Sequence, residues 1–242
     1  LMLHPDARIR RGLMARLTLV RAEVSLLFGE IDSATEGAMG CTTVFAELED
    51  EIGQGDTHWL LASIAVDRGD SAQVASRLQD AIAAYGAAGD AQRVSCARAR
   101  SLVNASFREP VATAALLARH FPLDTDYSVC AMAWVAAARA NVAGLTGDPG
   151  ASIQHDLTAW EAALECGQVR HALVSVANAA ESFATLGDLD SALEWSERGL
   201  ALARSTQWPA SIGFCLMQLG DVMRQLGRHD ESRAFLREAL DK

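Results

Sequence analysis

Residues Leu186–Arg204 read LGDLDSALEWSERGLALAR. A Leu-Gly-Asp turn leads into a helical stretch that carries small residues at set places. Forty residues later Leu226-Gly227 precedes Ser232 and the run AFLREAL, and forty residues earlier stands Thr146-Gly147-Asp148. Further back are Gly69-Asp70 and Gly29-Glu30. The glycines at 29, 69, 147, 187 and 227 differ by 40, 78, 40 and 40, which leaves one marker missing near Arg108. A fixed period in this range describes stacked supersecondary units, each burying its apolar face on its neighbours.

The period carries side-chain content. Seven positions before each marker stand Ala22, Ala62, Ser101, Ala140, Ala180 and Gly220. Five positions after it stand Ala34, Val74, Thr113, Ser152, Ala192 and Ser232, and twelve after it Cys41, Ala81, His120, Ala159, Gly199 and Ala239. Small residues recur where two helices must cross closely. Each unit therefore reads as a helix pair. Helix A ends at the Gly, which suits the left-handed turn. Helix B starts at the Asp or Glu that follows, through capping and the helix dipole.

The pattern resembles the tetratricopeptide repeat. Gly220, Gly227 and Ala239 fill its small-residue slots, as do Ala180, Gly187 and Ala192. The resemblance runs over nearly the whole chain and departs in period, 40 here against about 34 in the common repeat. HEAT and armadillo arrays also run near 40; the Leu-Gly-Asp turn and the alanine columns favour the tetratricopeptide reading. The third unit, with Glu109-Pro110 in place of Gly-Asp, matches least. The implied fold is all-α: a right-handed α-solenoid of about six antiparallel helix pairs. We expect one repeat domain over residues 1–242 with units at about 11–50, 56–88, 90–122, 126–166, 168–205 and 208–242.

Charge and composition exclude several classes of function. The 21 Lys and Arg against 31 Asp and Glu leave −10, which argues against a nucleic-acid surface and against anionic membrane. It fits a basic partner peptide. None of the five cysteines, Cys41, Cys96, Cys130, Cys166 and Cys215, lies within four residues of another, so no metal-ligand spacing is present. Small reduced thiols in a cytoplasmic protein are the expectation. No apolar run approaches the ~18 residues of a membrane span, and LMLHPDARIRRG lacks the apolar core of a signal peptide. The last helix shows no polar cap, so a fragment of a longer chain is expected.

Along the chain, Leu13, Leu17, Val20, Val24 and Leu27 mark a first helix, and Glu47–Glu51 reads as a solvated acidic helix end. Gly53-Gln54-Gly55-Asp56 reads as the turn into the second unit, whose helices are expected at 57–68 and 71–85. Phe121-Pro122 stops the third unit, and Pro149 opens the second helix of the fourth. No strand pattern is visible.

No catalytic constellation stands out. G-x-S-x-G, the P-loop sequence and H-E-x-x-H are absent. His155-Asp156 and His229-Asp230 are expected among solvent-facing helix residues, and Asn104-Ala105-Ser106 lies within a helix. No cofactor, metal or enzymatic activity is expected of this chain.

A stack of helix pairs offers a concave groove for a protein or peptide. In the resembling family helix A lines it, and the same offsets carried onto this sequence give Arg16, Leu19, Glu23 and Leu26, then Trp59, Ser63 and Val66, then Arg98, Leu102 and Ala105. They continue with Trp134, Ala137 and Asn141, then Val174, Ala177 and Glu181, then Phe214, Met217, Asp221 and Arg224. Trp59 and Trp134 are the foremost candidates, since Trp anchors binding surfaces; an aromatic filling a helix–helix seam is the competing reading. Asn141 suits an extended backbone because its amide both donates and accepts, and Arg98 suits a carboxylate. What the resemblance implies for the whole protein is a sensory or regulatory segment of a bacterial signalling protein. Its output would be a GGDEF diguanylate cyclase or a helix-turn-helix transcription regulator. A stand-alone scaffold or adaptor, with a possible homodimer, is the alternative.

Overall fold

Asp188 shows how one residue joins two helices. Its backbone N–H donates to Phe183 O at 3.0 Å, closing the helix before it, and its side chain accepts from Ser191 N at 3.1 Å, capping the helix after it. Gly187 between them has φ 81°, the left-handed conformation that glycine adopts without a Cβ clash. Asp50, Asp70, Asp90 and Asp148 repeat both bonds, their side chains accepting from Gly53, Gln73, Arg93 and Ala151 N at 2.9–3.0 Å. Each such cap is worth about 1 kcal/mol.

The structure is a computed structural model that describes residues 6–242; the reading of residues 1–5 as part of no signal peptide lies outside them. It is all-α. In chain order the helices are α1 Ala7–Leu27, α2 Ile31–Glu47, α3 Glu51–Asp67, α4 Ser71–Ala87, α5 Ala91–Ser106 and α6 Pro110–His120. They continue as α7 Val129–Leu145, α8 Pro149–Glu165, α9 Val169–Thr185, α10 Leu189–Thr206, α11 Pro209–Gln225 and α12 His229–Leu240. Among the described residues there is no strand, and no helix is long and apolar enough to cross a membrane. Packing divides the chain into two compact units that meet in sequence at Asn104/Ala105.

Left-handed residues stand at 29, 49, 69 and 89 in the first unit and at 147, 167, 187, 207 and 227 in the second. The backbone thus repeats every 20 residues, and the 40-residue period belongs to the side chains. Glu49 (φ 54°) and Gln207 (φ 60°) occupy places that glycine takes elsewhere. The missing marker near Arg108 has a structural cause. Helix α5 ends with Glu109 N–H bonded to Ala105 O, without a left-handed residue, and α6 is only 11 residues long. The segment 121–128 then connects to α7, held by Arg139, whose Nη2 donates to Phe121 O at 2.7 Å. Phe121 is buried and meets Tyr127 edge-on, ring centroids 5.4 Å apart.

In the first unit α1 packs on α2, α2 on α3 and α3 on α4, and α1 also touches α3. Ala22, Ala34 and Ala62 of the small columns are at most 3 % exposed. One core cluster joins Ala22, Leu26, Ala34, Ala38 and Leu60, and another Ala62, Ala65, Val74 and Leu78. The expected turn at 53–56 is overturned: these residues form the first turns of α3, and the chain reverses at Glu49-Asp50. Gly53 and Gly55 serve packing. A Cβ on Gly53 would lie 2.4 Å from the Phe45 ring, and one on Gly55 2.4 Å from the Tyr85 ring. The acidic run Glu47–Glu51 contains the Asp50 cap, so it is more than a solvated end.

In the second unit each helix from α6 packs on the next through α9, then α9 on α10, α10 on α11 and α11 on α12, with α9 also touching α11. Leu173, Leu200, Cys215, Leu216 and Leu219 belong to one core cluster, and Ala133, Ala162, Ala163 and Ala172 form another. Ala140, Ala159, Ala180 and Ala192 are buried as expected, whereas His120 of the third column is exposed. His155-Asp156 departs from the solvent-facing expectation, because Asp156 is 1 % exposed. It lies on the α8 face of Ser152, Ala159 and Ala163, all of them buried. His229 and Asp230 are exposed, the latter paired with Arg233.

Candidate functional site

Helices α9 and α11 touch each other over α10, and small residues keep a space open between them. Ala180, Glu181 and Thr185 of α9, Ser196 of α10, and Gln218 and Asp221 of α11 line a cavity of about 240 Å³. Ala180 and Ser196 are buried, Gln218 is half-buried, and Glu181, Thr185 and Asp221 are exposed at the mouth. A smaller space, lined by Val176, Ala177, Gly199 and Cys215, adjoins it and shares Ser196 and Gln218. A Cβ on Gly199 would lie 3.0 Å from Val176 Cγ1, so this space exists because two helices approach with minimal side chains.

The polar groups of this region are not all satisfied. Ser196 is 5 % exposed, and its Oγ has no hydrogen-bond partner within the chain. An unsatisfied buried hydroxyl costs roughly 1–3 kcal/mol. Asp156 reaches the seam with α9 from the other side. Its Oδ2 accepts from Ser152 Oγ at 3.4 Å, while Oδ1 has no partner. Burial pushes its carboxyl up to about 8; hydrogen bonds from Ser152 and Asn178 pull the other way, and the Glu181 charge adds to the rise. The Cys215 thiol is likewise pushed up by burial, to about 11, so it is an inert packing group.

Glu181 and Asp221, both expected in the groove, come together at this cavity. Asp221 also pairs with Arg224, 2.9 Å away, and Met217 and Phe214 lie on the same helix, exposed and half-buried respectively. Trp134 stacks on His171 with centroids 3.8 Å apart and planes at 17°, and His171 Nε2 lies 3.1 Å from Ala133 O. Asn141 donates to Ser106 Oγ at 3.2 Å. In the first unit Arg16 pairs with Asp50 at 2.6 Å. Glu23 is exposed, yet its carboxyl is raised, first by neighbouring atoms that displace water and second by Asp56. Trp59 and Ser63 are both held by Arg100 of α5. Arg98 is exposed, and Leu26, Leu102, Ala137 and Ala177 from the same offsets are core residues.

Sequence reasoning missed Arg100 and Ser196, and it set Asp156 on a solvent face although the residue is buried. The signal was present as helical phase. Ser196 follows Ala192 by four and precedes Gly199 by three, and Arg100 follows Ala97 by three and Cys96 by four. Each polar residue therefore sits on the apolar stripe of its own helix. Among the described residues no three His, Cys, Asp or Glu side chains converge as a metal ion requires.

The tetratricopeptide repeat family matches residues 170–242, the segment that builds this cavity. No curated protein matches the chain. Among solved structures, BtubC (BKLC) from P. vanneervenii is similar at 15% identity and TM-score 0.44, covering 97% of this chain and 82% of its own. A putative kinesin light chain from Podosopora anserina with nearly identical TPR-like repeats is similar at 13% identity and TM-score 0.40, covering 99% of this chain and 96% of its own. The chain is an all-α helical repeat protein whose residues 170–242 match the tetratricopeptide repeat family.

Proposed function

We propose that this chain is a non-catalytic protein-interaction module that receives an extended peptide in the cleft between α9 and α11. The observation that carries the reading is the polar cavity itself, formed where neighbouring helices A approach over small residues, with exposed Glu181 and Asp221 at its mouth. A net charge of −10 favours a partner segment of basic character. Panning a random peptide library against the full chain tests it. The expected result is a family of peptides whose binding weakens in the Glu181→Ala and Asp221→Ala variants. A selection that enriches nothing overturns the reading.

A regulatory role is the finer form of the same proposal, the module acting as the sensory segment of a bacterial signalling protein. Its support is the 40-residue period read in the sequence. Reading the codons beyond Lys242 checks it, since an immediate stop removes an output domain on that side. A cytoplasmic setting is supported by Cys41 and Cys215, which are buried as free thiols. Self-association is supported by the exposed apolar residues Leu13, Val20 and Val24 on α1. Sedimentation of the full chain tests it, with a single monomeric species at all concentrations as the contrary result.

A further inference from the structure

The cleft between α9 and α11 gathers acceptors from three helices around one buried hydroxyl that has no partner. Ser196 Oγ at its floor is buried and unpartnered. Glu181 and Asp221 stand at its mouth on two different helices, and no Lys, Arg or His lines the cavity. Asp221 uses only Oδ1 toward Arg224, receiving from Nε at 3.0 Å and lying 2.9 Å from Nη2. Gln218 lines both the main cavity and the smaller space beside it. A volume of about 240 Å³ lies below the roughly 300–1,000 Å³ of small-molecule pockets and suits one long side chain.

Acceptors on three helices, with carboxylates outermost, call for a cation with several donors spread over a plane. A guanidinium has five N–H donors in a fixed fork, whereas an ammonium is a compact and strongly hydrated point charge. We infer that the cleft lined by Glu181, Ser196, Gln218 and Asp221 is a guanidinium site, filled by an arginine side chain of the partner segment. This rests on the peptide-binding reading above. It adds that the arginine is held by carboxylates at the mouth and by the Ser196 hydroxyl at the floor. Arg224 is the internal competitor, since it already neutralises one Asp221 oxygen at the rim.

The test is a titration of the isotope-labelled full chain, followed through the backbone amide signals of Ser196 and Gln218. The probes are a blocked Gly-Arg-Gly peptide, its lysine and norleucine counterparts, and agmatine. Saturable shifts are expected with the arginine peptide, with no shifts from norleucine. The Glu181→Gln/Asp221→Asn double variant should weaken binding about tenfold or more, the size of a lost charge-assisted contact. Arg224→Ala should tighten it. Agmatine shifts equal to those of the arginine peptide support the same site with a free small guanidinium as its source. Equal shifts from norleucine, a lysine peptide that binds more tightly than arginine, or no shifts from any probe overturn the inference. The peptide reading fails separately, by an empty library selection. Selected peptides that keep their affinity when every arginine becomes norleucine would leave that reading standing and sink this one.

Discussion

The Arg100 guanidinium lies over the Trp59 ring, 4.4 Å from its centroid, and donates to Trp59 O at 3.2 Å and to Ser63 Oγ at 2.8 Å. One buried cation of α5 thus covers two side chains of α3 that the sequence offered as groove residues. A cation stacked on indole and hydrogen-bonded through its fork is a fixed arrangement, held by geometry as much as by charge. Removing it takes the charged donor from both groups and leaves Ser63 Oγ donating to Trp59 O at 3.3 Å. Arg100→Ala should destabilise the protein by about 2–4 kcal/mol, and Arg100→Lys by about half of that, because an ammonium cannot reproduce the fork. Urea denaturation of the two variants checks the order, and equal midpoints for both and the parent would contradict it.

The raised carboxyl of Asp156 makes stability depend on pH in an unusual direction. With an unfolded value of 3.8 and a folded value of about 8, the native state holds the extra proton throughout that window. The contribution of Asp156 to stability is therefore full below about pH 4, falls as pH rises toward 8, and is level above. The loss amounts to a few kcal/mol. Asp156→Asn should flatten this slope and be more stable than the parent at pH 8–9. Urea midpoints between pH 5 and 9 measure both, and parallel curves for parent and variant would refute the assignment.

Glycine inside a helix has opposite meanings at two pairs of positions. A Cβ at Gly40 or Gly86 meets nothing within 4 Å, so Gly40→Ala and Gly86→Ala should each stabilise by about 0.5–1 kcal/mol through helix propensity. The same change at Gly53 or Gly55 drives a methyl into Phe45 or Tyr85 and should destabilise by about 1–3 kcal/mol. Thermal melts of the four single variants provide the comparison. A common sign for all four would show that packing at α3 is not what fixes its glycines.

The turns give a third contrast. Glu49 and Gln207 hold left-handed backbone without being glycine, at a cost of about 1 kcal/mol each. Glu49→Gly and Gln207→Gly should raise the melting temperature, and Gly187→Ala, at φ 81°, should lower it. Differential scanning calorimetry of the three variants reads the result directly.

The sequence by itself determined the helix pairs. A left-handed Gly, a capping Asp after it and small residues at fixed offsets act within a turn or two of the chain, so Gly187, Asp188 and Ala192 are readable from their neighbours alone. The same local logic placed Glu181 and Asp221 on helices A. What only tertiary structure decided is which polar side chains the stack encloses and which turns dispense with glycine. Glu49 turns because α2 and α3 must lie together, although its own backbone preference opposes it. Gly53 and Gly55 look like a turn until the rings of Phe45 and Tyr85 occupy the space a side chain would need. Arg100, Asp156 and Ser196 are buried by helices distant in sequence from their own, and burial, unlike a cap, is a property of everything that surrounds a residue.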